Sequence, residues 1–353
     1  MKAEELFSKP TLIFFRKLVA FKMQFFVLLV MTLLWLIFGF YRPFEPHYHG
    51  KCLSRWADDY CVNEYYASPE IKLRNRKCEE AIQHIGVKGL PLALELCRAK
   101  DSKVKEKMVG WSEDLSEKLH FDIHICSAVE KQQEALAIFY VLGASAKPAI
   151  PSLIEVLQGN YPLNWDTAME GLHIIGPDSI PPLIELLTNE SEKLTNKGKQ
   201  GRYNATRCLG WYFRRQASNA VPILLQFLED KDVWLRCAAA KSLTGISRDS
   251  TKVVPALVKY IETETNTAAL SQVVPDLGYL GTNGRLAIPI LTKFAESNQY
   301  RALVALYKID PATAELIFEK WRASQTNVII YGKTNLDSLL SQTNAPANGV
   351  GHQ

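Results

Sequence analysis

Apolar residues recur at helical spacing behind a proline six times along the chain. The copies are KGLPLALELC around Pro91, PAIPSLIEVL around Pro151, DSIPPLIELL around Pro181, NAVPILLQFL around Pro222, KVVPALVKYI around Pro255 and LAIPILTKFA around Pro289. Counted from each proline, offsets +2 and +6 are rich in leucine, +5 is apolar, and +4 and +7 are mostly polar. That spacing puts one apolar stripe on one face of a helix. Proline suits the first helical position, where its missing N–H is no loss and its φ is preset. Upstream of the prolines lie further apolar runs of helical period: EALAIFYVLG (134–143), AMEGLHIIG (168–176) and VWLRCAAAKSLTGI (233–246). Their small residues permit close approach to a neighbour. Gly143, Gly176 and Gly281 stand where such a helix must stop, as left-handed terminators. Ser127-Ala-Val-Glu130 reads as a capping box ahead of the run at 134–143.

The prolines are 60, 30, 41, 33 and 34 residues apart. A unit of two helices, 30–34 residues long, accounts for them if 60 is two units with one degenerate. The interval of 41 is then one unit plus a polar loop at 188–201 (TNESEKLTNKGKQG). A helix pair with a single apolar face cannot bury it alone, whereas stacked copies share a continuous core. Residues 100–132 fit the pattern poorly, and RALVALYKIDPATAELIFEKW (301–321) is a shortened unit, as a terminal cap would be.

The units from Pro151 to Pro289 resemble HEAT repeats, specifically the short HEAT-like type first associated with phycobilisome lyases. An apolar segment, HYHGKCLSRWADDY, an AIQHIGVKGLP unit and then the repeats is an order similar to that of membrane-anchored HEAT-repeat proteins of environmental bacteria. The resemblance covers roughly residues 78–320 and implies a fold rather than an activity. The predicted fold is all-α: a solenoid of six to seven HEAT-like helix pairs over 78–324, preceded by one transmembrane helix.

That helix is expected at 23–41, MQFFVLLVMTLLWLIFGFY, a run of 19 residues without a charge. At about 1.5 Å per residue it spans roughly the ~30 Å hydrocarbon core. The run is longer than a signal-peptide core and ends in bulky Phe38, Phe40 and Tyr41, which favours an uncleaved anchor. Residues 1–22 carry five basic side chains against Glu4 and Glu5, so the N-terminus is expected in the cytoplasm and the repeats across the cell membrane. Residues 42–77 are expected to be a linker and N-terminal cap, docked by Trp56 and Tyr60. Residues 325–353, rich in Asn, Ser, Thr and Gly, read as a disordered tail.

The chain has 353 residues, 47% of them hydrophobic, with Lys+Arg 41 against Asp+Glu 37. This excludes wholesale disorder, and the near-neutral balance beyond the anchor predicts no nucleic-acid partner. Seven cysteines are not a disulfide framework. Cys52 and Cys61 are a candidate disulfide if their segment is extracytoplasmic. His47 and His49 lie near them without zinc-site spacing, and HFDIH at 120–124 lacks the glutamate of HExxH, so no metal is expected. No P-loop, GxSxG or GxGxxG–helix pattern is present; no catalytic residue and no cofactor are predicted. Cys97, Cys208 and Cys237 read as core fillers, and Trp165, Trp211 and Trp234 as packing between repeats.

The remaining candidate is a ladder at the +4 position of each second helix: Glu95, Glu155, Glu185, Gln226, Lys259 and Lys293. In HEAT-type stacks the second helices line the concave side, so the resemblance places the ladder there, its charge running from acidic to basic. The function expected is a non-enzymatic scaffold that binds a protein partner on that face. A bilin-lyase-like enzyme or cofactor-handling protein and a purely structural spacer stay open as alternatives.

Overall fold

A computed structural model describes residues 45–61, 68–119, 125–159, 162–189, 195–246, 251–297 and 299–323. The span expected at 23–41, the basic segment before it, the tail after 325 and the pair His120 and His124 lie outside these residues.

Strands β1 (His47–Tyr48) and β2 (Lys51–Cys52) form an antiparallel hairpin with His47 opposite Cys52. Its two turn residues, His49 and Gly50, have φ of 48° and 76°, the pair of positive values a tight two-residue hairpin needs. The rest is helical. Helix α1 (Leu53–Asp58) comes directly after the hairpin and buries Leu53 and Ala57. Trp56 and Tyr60 pack against the core, with Trp56 Nε1 donating to the Tyr48 carbonyl at 3.2 Å. Helix α2 (Pro69–Ile85) begins at Pro69, inside the stretch expected to be linker and N-terminal cap, and the Ser68 hydroxyl caps it by accepting from the Ile71 N–H.

Seven helix pairs succeed one another among the described residues. They are α2 with α3 (Leu90–Cys97), α5 (Ala128–Leu142) with α6 (Ile150–Gln158), and α7 (Pro162–Ile175) with α8 (Ile180–Thr188). Next come α9 (Asn196–Cys208) with α10 (Val221–Phe227), and α11 (Val233–Ile246) with α12 (Val253–Thr263). Last are α13 (Thr267–Val273) with α14 (Ile288–Glu296), and α15 (Tyr300–Ile309) with α16 (Pro311–Ala323). First helices pack on first helices in chain order, α5 on α7, α9 on α11 and α11 on α13. The buried side chains form one continuous core from Leu53 to Trp321.

The proline register organises this core. The +2 residues Ala93, Leu153, Leu183, Leu224, Leu257 and Leu291 all have 0% exposure. Full burial of a leucine is worth about 1.5–3 kcal/mol, so the five leucines at this position are a large part of what holds the stack. Five prolines sit within the first two helical positions, and Pro255 is the third residue of α12. A 3₁₀ turn runs directly into five of these six helices, moving the start upstream of the proline. The first turn has no intrahelical acceptor for any of its N–H groups, so proline fits there equally well.

Gly143, Gly176 and Gly281 end their helices with φ of 49°, 101° and 55°, but with ψ of −129°, −158° and −141°. They are therefore not the left-handed helical terminators expected; this region is more exclusive to glycine still. The capping box forms, with Glu130 N–H bonded to Ser127 Oγ and Glu130 Oε2 to the Ser127 N–H.

The structure departs from the expected spacing in two places. The 60-residue interval is not two units. Helix α3 packs directly on α5, and the sequence between them supplies one helix, α4 (Lys103–Leu119), whose described residues make few contacts with the stack. The insertion at 188–201 is also not all loop. Thr195 caps α9 by accepting from the Gly198 N–H at 2.9 Å, so the helix starts at Asn196. Its buried face uses Gly198, Gly201 and Ala205 instead of large apolar residues, because its neighbours come very close.

The stretch Ala128–Gln158 is apolar and long enough, by length and composition, to cross a membrane. It is bent at Gly143 into the pair α5 and α6, and a hairpin of two short helices does not span a bilayer.

Buried amides tie next-but-one pairs together. Asn164 on α7 donates to the Cys97 carbonyl at the end of α3 (2.7 Å), and Asn204 on α9 to the Leu157 carbonyl near the end of α6 (2.8 Å). The last carbonyls of a helix lack intrahelical donors, so each asparagine satisfies one while fixing the register across an intervening pair.

Candidate functional site

The second helices carry the ladder in register. Glu95, Glu155, Glu185, Gln226, Lys259 and Lys293 each lie one turn past the helix-start proline, and all six are exposed. The spacing that buries +2 and +6 leaves +4 outward, so sequence periodicity places these side chains directly. Neighbours temper the charge. Arg98 bonds Glu155 at 3.1 Å, which brings a cation to the acidic end. Glu229 bonds Lys259 at 2.9 Å, which brings an anion to the basic end. That hydrogen bond, with its charge attraction, holds Glu229 below the usual carboxylate range and raises Lys259. The acidic-to-basic gradient is thus less steep than the six residues alone suggest.

The side formed by first helices holds a feature that periodicity does not reveal. Tyr203 and Arg207 on α9 and Trp211 just beyond it face Trp234, Cys237 and Lys241 on α11 across a pocket of about 220 Å³. Trp211 and Trp234 are 46% and 47% exposed, so neither is the packing between repeats expected of it. Trp165 does behave that way: it packs on the core and donates from Nε1 to the Gly159 carbonyl at 2.8 Å. The Arg207 guanidinium lies 4.4 Å from the Trp211 ring centre and Lys241 Nζ 5.8 Å.

Local backbone explains the outward tryptophan. Residues Leu209–Phe213 form a π-helical turn, which inserts an extra residue and rotates the side chains after it. Arg214 then ends the helix with φ 47° and ψ −124°, nearly the conformation of Gly143. It stands eight residues before Pro222, as Gly143 stands before Pro151 and Gly281 before Pro289. An arginine where sister units have glycine was the available signal.

The cysteines are mostly sequestered. Cys78, Cys97, Cys208 and Cys237 are buried. Burial pushes the thiols of Cys97 and Cys126 up to about 12 and that of Cys237 up to about 11, and it raises Cys208 as well. Thiolate is the reactive form, so these groups are poor nucleophiles at neutral pH. Cys52 and Cys61, the candidate disulfide, are both half-buried. Asn75 bonds both the N–H and the carbonyl of Cys61, while Cys52 Sγ lies 3.5 Å from Ser54 Oγ.

No curated protein matches the chain. Residues 192–274, from just before α9 through α13 and so including both walls of the aromatic pocket, match the HEAT repeats family; with the helix pairs stacked in order, this supports a HEAT-like repeat protein.

Proposed function

We propose that the chain is a non-enzymatic scaffold that recognises a protein partner on the face formed by its second helices, which is the concave side in HEAT-type stacks. The carrying observation is the register of six exposed +4 residues, Glu95 to Lys293, on six successive second helices. A surface repeated at this spacing contacts an extended partner at several points, and each contact adds to specificity through charge. The short interval between prolines is the reason to read the units as the phycobilisome-lyase-like type. Residues 23–41 anchor the scaffold, with the N-terminus cytoplasmic and the repeats outside; the basic flank supports that orientation.

The test of the face is a combined charge reversal, Glu155→Lys, Glu185→Lys, Lys259→Glu and Lys293→Glu, together with in-cell crosslinking. Loss of the wild-type crosslinked partners with unchanged helical circular dichroism is expected; retention of all of them rejects the face. For the anchor, a C-terminal alkaline phosphatase fusion in a bacterial host should be active, and an inactive fusion rejects the orientation.

A further inference from the structure

We infer that the pocket between α9 and α11 is a second docking site, one that takes an acidic segment of a partner protein bearing an aromatic side chain. This goes beyond the ladder reading: it lies on first helices, not second ones.

Three observations converge on it. The pocket walls are two half-exposed tryptophans, with Tyr203 beside them. Exposed tryptophan and arginine are the residue types that dominate binding energy at protein interfaces. Two cations, Arg207 and Lys241, line the same pocket, and among the described residues no carboxylate does. Arg207 pairs with Asp166 and Lys241 with Asp276, each at 3.6 Å, and a guanidinium with five N–H donors and an ammonium with three keep others for an incoming carboxylate. Arg214 and Arg215, both exposed, directly follow the π turn that carries Trp211, and Arg214 Nε reaches the Trp211 carbonyl at 3.4 Å. Finally, the backbone that turns Trp211 outward combines a π turn with an arginine at positive φ. Both features cost stability and concentrate where a surface is used.

Size selects the occupant. Small-molecule and cofactor sites usually enclose about 300–1,000 Å³. At about 220 Å³ this pocket is too small for a whole cofactor and suits one large side chain with its neighbours outside. An aromatic ring stacked against Trp234, with flanking carboxylates on Arg207 and Lys241, satisfies both the π surface and the charge.

The test uses the full-length protein in detergent and a fluorescein-labelled Glu-Glu-Phe-Glu-Glu peptide, read by anisotropy. Saturable binding is expected, at least tenfold tighter than for Lys-Lys-Phe-Lys-Lys. Lys241→Gln and Trp234→Ala should each weaken it at least tenfold. If Trp234→Ala loses helical content, Trp234→Leu takes its place. No saturable binding, equal affinity for the two peptides, or wild-type affinity in either folded variant overturns the site. The ladder reversal should leave peptide binding intact; if it abolishes binding, the peptide sits on the other face and this inference fails. Failure here leaves the ladder reading standing, because partner crosslinking tests that separately.

Discussion

Arg236 on α11 and Glu264, in the link between α12 and α13, form a two-pronged pair: Arg236 Nε and one of its η nitrogens reach the same Glu264 oxygen at 2.8 and 2.7 Å. The Glu264 carboxylate is almost fully buried and also accepts the Asn266 N–H at 2.9 Å. Arg236 reaches back as well, to the Asp230 and Lys231 carbonyls beyond the end of α10. One guanidinium thus joins three successive units.

Removing the charge from that pair leaves Arg236 without its anion. Glu264→Gln is expected to cost about 2–3 kcal/mol, a fall in Tm of about 5 °C. Burial alone would raise the Glu264 pKa, but the Asn266 N–H and the Arg236 guanidinium outweigh it and hold it below the usual carboxylate value. A depressed folded pKa stabilises above the unfolded value of about 4.3, and that gain is lost as pH falls through the folded pKa. Melting curves of wild type and variant should therefore stay apart at pH 5 and above and converge toward pH 3. A constant gap down to pH 3 would show that the carboxylate is not stabilised as argued.

Two successive units come very close at Gly210. A Cβ there would lie 2.2 Å from Ser242 Oγ and 2.6 Å from Ser242 Cα, and one on Gly245 would lie 2.9 Å from the Gly210 carbonyl oxygen. Because backbone and not only a mobile side chain is in the way, Gly210→Ala should cost about 3 kcal/mol, at the upper end of overpacking effects. Gly110, in α4, has nothing among the described residues within 4 Å of its Cβ position. Gly110→Ala should stabilise by about 0.5–1 kcal/mol through helix propensity. Urea titrations of the two variants should move the midpoint in opposite directions.

How much of the fold is legible in the sequence depends on whether a position is read by its own side chain or by its neighbour's. The second helices are legible because proline and leucine mark them from within: the register found in the sequence puts Leu153, Leu183 and Leu257 at zero exposure. Helix α9 is not, because NKGKQG looks like a loop until Gly201 is seen against Gln158 and Leu186 of adjoining helices. Intervals between prolines cannot separate a degenerate repeat from an outlying helix, which is why α4 escapes them. For the candidate sites, the +4 ladder comes from period alone. The Trp211–Trp234 pocket requires knowing that a π turn rotates Trp211 outward, and no hydrophobic pattern encodes that.

The thiols give a chemical check on burial. In a brief N-ethylmaleimide pulse at pH 8, Cys52 and Cys61 should label first. Cys78, Cys97, Cys208 and Cys237 should label only in denaturant, as mass spectrometry of the peptides would show. Cys126 is half-buried, and burial and the carboxylates of Glu134 and Glu130 push its thiol up to about 12, so it should label slowly. Protein isolated from an oxidising compartment tests the cross-link the sequence suggests between Cys52 and Cys61: joint loss of their labelling, restored by reductant, would identify it.

Arg214 offers the sharpest test of stored strain. Its φ of 47° with ψ of −124° is a conformation that the sister positions Gly143 and Gly281 hold with glycine. A side chain there costs about 1–3 kcal/mol, while introducing glycine returns about 0.5–1 kcal/mol to the unfolded chain as entropy. Arg214→Gly should therefore stabilise by about 1 kcal/mol, raising Tm by about 2 °C. Arg214→Ala keeps a Cβ and removes only the guanidinium, so it should gain nothing. If glycine lowers Tm as much as alanine does, the contact from Arg214 Nε to the Trp211 carbonyl outweighs the strain. If glycine raises Tm and alanine does not, the arginine is retained at a cost in stability, as a residue serving the surface rather than the fold would be.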